Sequence, residues 1–216
     1  MNESGVPAKP RFRGRIHQIA FIASVPAGST LVALGRTGAA RAAAAVYAVA
    51  LSTLFGVSAS YHRLDWSPRA RARMQALDHS AIYLLIAGSY TPISVLVLEG
   101  AWRWTMLSLV WGGALAGTAI KTSRVRWGDA PGFALYLVLG WSVVIAGPQI
   151  TRNLSPAQLA LLVAGGVLYT VGAILFAMRR PALKPATFGF HEVWHTFVLS
   201  AALCHYAVVA ALVATH

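Results

Sequence analysis

His191-Glu192-Val193-Trp194-His195 opens the last apolar run of the chain, HEVWHTFVLSAALCHYAVVAALVA, residues 191–214. Beyond Glu192 the run contains no acid, lysine or arginine, and it exceeds the roughly 20 residues that cross a bilayer as a helix. It therefore reads as a membrane span. Its first turn carries two histidines four residues apart. A helix places such a pair on one face, one turn from each other, where both imidazoles reach a single divalent metal.

The remainder of the chain has the same character. Of 216 residues, 57% are hydrophobic and 11% charged, which is far from the make-up of a soluble domain. The net charge of +12 comes from short basic clusters between apolar runs, where lysine and arginine meet lipid headgroups. No basic and aromatic stripe lies on a soluble segment, so nucleic acid is not an expected partner. The single cysteine, Cys204, lies inside the last run and excludes an internal disulfide and a cysteine-rich metal site.

Apolar runs at about 18–35, 42–62, 76–98, 101–120, 132–149, 158–178 and 191–213 predict seven spans. The fold class expected is an all-α integral membrane protein, a seven-transmembrane helix bundle over residues 17–216. Residues 1–16, polar and carrying Lys9, Arg11, Arg13 and Arg15, read as a basic cytoplasmic tail, disordered or lying on the surface. The first span is expected to stay as a signal anchor, because its apolar run is longer than a signal-peptide core. Fourteen of the eighteen lysines and arginines fall in the tail and in the second, fourth and sixth loops. Seven spans put those four segments on one side, so the N-terminus is expected in the cytoplasm and the C-terminus outside, in a multi-pass protein of the cell membrane.

Ionisable side chains inside spans are costly and mark functional positions. His62 ends the second span, Asp78 and His79 open the third, and His191, Glu192, His195 and His205 lie in the seventh. With alternating span directions, His62, Asp78, His191 and His195 come to one membrane depth. Such a layer suits zinc hydrolysis: three protein ligands leave a fourth position for water, whose pKa falls to about 7 on zinc. His62, His191 and His195 are the expected ligands and Asp78 the group that holds and deprotonates the water. Ser58, one helical turn before His62, is expected to orient a ligand or to donate to a substrate oxygen. His79 points elsewhere than Asp78, along a face shared with Tyr83, Ile86 and Tyr90 that reads as packing. His205, about 15 Å along the helix from His195, is too far for the same ion.

Ser58-Ala-Ser-Tyr-His62, then Asp78-His-Ser-Ala-Ile-Tyr-Leu-Leu-Ile-Ala-Gly-Ser-Tyr-Thr-Pro92, then His191-x3-His195 with His205 following, resembles the haemolysin III family, bacterial relatives of the progestin and adiponectin receptors (PAQR). The resemblance covers all seven spans. It implies a seven-helix bundle with zinc near the cytoplasmic face, the family's S-x3-H falling on Ser58 and His62, its third-span aspartate on Asp78 and its H-x3-H on His191 and His195. It further implies membrane lipids as partners and a lipid or fatty-acyl amide as substrate, with cytolysis and lipid homeostasis as the biological setting.

Three other readings compete. His191-Glu192-Val193-Trp194-His195 also matches H-E-x-x-H, which in zinc proteases makes the glutamate the base. No acid follows Glu192 and Val198 stands where metzincins have glycine, so Glu192 is expected to be a surface group or a support for a ligand. A zinc that merely clamps the second and seventh helices would make the protein a non-catalytic sensor or regulator. A lytic or permeability role needs a water-filled lumen, which seven apolar spans do not suggest.

Overall fold

The computed structural model describes residues 10–123, 130–181, 183–184 and 186–216. Eight α-helices follow one another: α1 Arg15–Leu34, α2 Gly38–Arg63, α3 Pro68–Leu96, α4 Gly100–Thr122, α5 Ala130–Trp141, α6 Gly147–Asn153, α7 Pro156–Ala177 and α8 Phe190–Thr215. A 3-10 turn, Ser142–Ala146, joins α5 to α6. These two helices and the turn form one composite span, so the architecture is the expected seven-helix membrane bundle.

Six of the seven spans are long and apolar enough to cross a bilayer, the composite one over Gly132–Asn153. The other is α4, which at 23 residues has the length. Trp102, Arg103, Trp104, the glycines and Lys121 dilute its apolar character. Large apolar side chains face outward around the bundle, among them Ile19, Ile22, Leu115, Val144 and Leu203. In water they would be a liability; in a bilayer they meet lipid tails.

Helix ends follow local chemistry. Thr37 caps α2 by accepting from the Ala40 N–H at 3.2 Å, and Ser155 with Gln158 forms a capping box at α7, with Pro156 in the first turn. The third helix starts at Pro68, two turns earlier than the apolar run, and its added turns expose Arg69, Arg71 and Arg73. The break in the fifth span falls where Gly147-Pro148 restarts the helix, since proline has no N–H to give to the preceding turn.

Small residues bring the helices close. A Cβ on Gly88 of α3 would sit 2.4 Å from Ala50 Cβ of α2, and one on Gly28 of α1 would sit 2.7 Å from Ala48 Cβ. Two apolar cores result. One gathers α1, α2, α3 and α8 around Tyr47, Leu51, Phe55 and Val198; the other joins α3 to α4, the fifth span and α8 around Tyr83, Val110 and Leu139. Both α3 and α8 contribute to both cores and form the centre. Tyr83 and Tyr90 hold the fifth span by donating to Gly132 O at 3.1 Å and Gly140 O at 2.7 Å, so the polar-aromatic face of α3 packs on that span, and Tyr90 also lines a cavity.

Candidate metal centre

The last turn of α2 carries His62 and the first two turns of α8 carry His191 and His195. Both helices end in a layer with the start of α1. His62 and His195 are buried and His191 is half-buried. Their ring centroids lie 4.5 Å apart for His62 and His191, 4.7 Å for His191 and His195, and 5.2 Å for His62 and His195. One nitrogen from each ring can be chosen so that all three fall within 4.8 Å of one another. The closest pair, His62 Nε2 and His191 Nε2, is 3.0 Å apart.

Two ligands of a tetrahedral zinc lie roughly 3.3 Å apart, given bonds of about 2.0–2.1 Å. The closest pair is already near that separation, and a modest ring rotation brings the third nitrogen in. Three imidazoles without a thiolate form a borderline donor set that suits zinc and other first-row dications. The residues present therefore fit an ion held by three histidines.

Ser58 and Asp78 form a pair one helical turn along α2 from His62. Ser58 is buried, Asp78 is half-buried on α3, and the serine hydroxyl faces the carboxylate. The His79 backbone carbonyl accepts from Tyr136 OH at 3.0 Å. His205 sits in the other half of the bundle, its Nε2 3.3 Å from Leu162 O and its ring against Gly165, where a Cβ would approach it to 2.4 Å.

Of the two places expected for Glu192, a surface group or a support for a ligand, the surface one is corrected: its side chain is fully buried. Its Oε1 receives Arg13 Nε, and its Oε2 accepts from the Gly189 N–H at 2.8 Å, which caps α8. Both oxygens are occupied, Oε1 by the bond that ties the start of α1 to α8 and Oε2 by the local cap. The literal H-E-x-x-H pattern thus lacks a free base here.

The segment before α1 reinforces this tie. Arg11 N and Phe12 N each donate at 3.2 Å to Ala186 O and Thr187 O in the loop before α8. Gly14, at φ 76°, presses against α2; a Cβ there would sit 2.7 Å from His62 Cβ. Glycine is required both for the left-handed backbone and for the contact.

Sequence reading did not single out His17. It is 3% exposed and lies flat on His195, with centroids 3.7 Å apart and planes at 11°. The layer therefore holds four imidazoles. The available signal was a lone histidine at the threshold of the first apolar run, as His62 stands at the end of the second.

The pattern of the family described as "Haemolysin-III related" matches residues 7–206. "Hemolysin-3" of Bacillus cereus is 37% identical over 186 residues, covering 85% of this chain and 82% of that protein. "Hemolysin-3 homolog" of Bacillus subtilis (strain 168) is 34% identical over 154 residues, covering 71% and 69%. A more distant relative, "Heptahelical transmembrane protein ADIPOR2" of Oryza sativa subsp. japonica, is 30% identical over 183 residues, covering 76% and 79%. With that match running from before the first span into the last, the chain belongs to the haemolysin III-related family of multi-pass membrane proteins.

Proposed function

We propose that this protein is a zinc-dependent hydrolase of lipid amide or ester bonds, with its metal layer at the cytoplasmic side. The observation that carries the reading is the convergence of three histidine nitrogens from α2 and α8 to within 4.8 Å, in a buried layer with an aspartate and a serine one turn away. His62, His191 and His195 would hold the ion. When bound there, zinc supplies an acidified water and a Lewis acid for the carbonyl. Asp78 would accept the proton of the attacking water, and Ser58, whose hydroxyl faces it, would orient the carboxylate. Side chains buried at the edge of a span can meet a substrate that arrives from the lipid tails while water arrives from the aqueous face.

The test uses the purified full chain with a short-chain ceramide and a matching acyl ester in mixed micelles. Asp78→Ala is expected to retain zinc and monodispersity and to lose turnover by about 100-fold or more, the scale of a general base. Turnover equal to that of the unaltered protein would sink the hydrolase reading.

A second reading, a non-catalytic sensor or regulator with a structural ion, draws support from the cavities. The larger, about 250 Å³, lies among α3, the composite span, α7 and α8 and is lined by Tyr90, Trp141, Leu162 and His205. Another, about 120 Å³, lies between α1, α2 and α8. Neither reaches His62, His191 or His195. Zinc retained with no turnover on any lipid amide or ester, and no leakage from liposomes, would favour this reading.

A further inference from the structure

We propose that His17 belongs to the working part of the metal centre, donating or accepting a hydrogen bond with the oxygen atom that fills the position left open by His62, His191 and His195. The inference rests on the metal-binding part of the proposed function and adds a group that the three-histidine set does not include.

His17 is buried, and neither Nδ1 nor Nε2 makes a hydrogen bond of good geometry, the one protein group among the described residues near enough to interact being the His195 backbone. Buried polar atoms left in that condition are costly and rare. Stacking alone does not account for the residue, since a phenylalanine would lie on His195 equally well and bring no polar atom with it. The nitrogens point to a partner beyond the protein's own groups.

The geometry says which kind. His17 lies parallel to His195 at a centroid distance of 3.7 Å, with the edge of Phe55 against its other side at 5.1 Å. A ring stacked flat on a ligand has its own nearest nitrogen roughly 4–5 Å from the ion, against bonds of about 2.0–2.1 Å for the ligands themselves. That is too far for coordination. It suits a hydrogen bond of about 2.8 Å to an oxygen that the ion carries, whether water or the carbonyl oxygen of a substrate.

The position of His17 is enforced. Arg13 is tied to Glu192, the Arg11 and Phe12 amides to the loop before α8, and Gly14 abuts His62. The start of α1 is thus fastened to both elements that bear the histidine triad, one turn before His17.

Cobalt(II) in place of zinc and acetate as the oxygen ligand provide the test, on the full chain in detergent. The unaltered protein, His17→Phe and His17→Gln are compared for bound cobalt, visible spectrum and acetate affinity. His17→Phe is expected to keep the cobalt and the stack but to bind acetate about tenfold more weakly, the worth of one hydrogen bond. His17→Gln, which restores a polar atom, recovers part of that loss. Should His17→Phe fail to remain monodisperse, the smaller His17→Leu takes its place. Equal acetate affinity in the Phe variant would reduce His17 to a stacked ring and overturn the inference. Loss of cobalt from a folded Phe variant would overturn it in favour of direct ligation. Absence of cobalt from the unaltered protein would instead sink the metal reading on which both proposals stand.

Discussion

The Arg13 guanidinium closes on the Glu192 carboxylate, joining side chains 179 positions apart in sequence. Glu192 is fully buried while the Arg13 side chain keeps about a fifth of its surface. Removing the cation from such a pair leaves an uncompensated buried charge, which costs about 3–5 kcal/mol. Arg13→Ala should therefore be much less stable in detergent thermal unfolding than Glu192→Gln. The glutamine stays neutral when unpaired and can still accept from the Gly189 N–H. Any hydrolytic activity should survive Glu192→Gln. Turnover abolished in that variant with zinc retained would restore Glu192 as a base.

Elemental analysis of the purified protein should find about one zinc per chain, lost in His195→Ala and in His62→Ala. Stripping the metal with a chelator should lower the unfolding midpoint by roughly 5–10 °C if the ion is bound at 100 times its dissociation constant, a linkage of about 2.7 kcal/mol. A well-folded protein without metal after zinc is added back would leave the histidines as structural groups.

Gly88→Ala should destabilise the bundle by about 1–3 kcal/mol, because the new methyl meets Ala50 Cβ at 2.4 Å and neither carbon can rotate away. The resulting spread of α2 from α3 should also loosen the Ser58 and Asp78 pair. Gly112→Ala serves as the control. A Cβ there meets nothing within 4 Å, so the change should be neutral or favourable by up to about 1 kcal/mol. Equal unfolding midpoints for the two variants would contradict the close contact.

Orientation is open to thiol labelling in a Cys204→Ala background. An impermeant maleimide applied to intact cells should modify Glu99→Cys and spare Arg69→Cys, both exposed at opposite ends of α3. The reverse pattern would place the basic loops and the histidine layer outside.

Hydropathy and charge were enough to read seven helices, and the H-x3-H and S-x3-H spacings were enough to find the triad, because both depend on patterns within one segment. The rest depends on partners in other segments. The apolar run at 132–149 reads as a single helix, whereas Tyr90 OH both donates to Gly140 O and accepts from Val143 N–H at 2.8 Å, which satisfies the backbone where the helix breaks. Glu192 reads as a surface group or a support for a ligand because nothing near it in sequence neutralises it; its cation arrives from residue 13. His17 has no companion four residues on, so it shows no motif. Only the fold lays it on His195.

The meeting of the chain's two ends has a consequence for biosynthesis. The counterparts of Arg13 and His17, namely Glu192 and His195, lie in α8, which is made after α1 to α7. Until then a half-made chain with six spans inserted carries five groups waiting for counterparts: the Arg13 cation, the polar rings of His17 and His62, and the amides of Arg11 and Phe12. Closure of the histidine layer must therefore wait until α8 has been made. A nascent chain arrested before residue 190 would display its incomplete state to the quality-control proteases of the membrane.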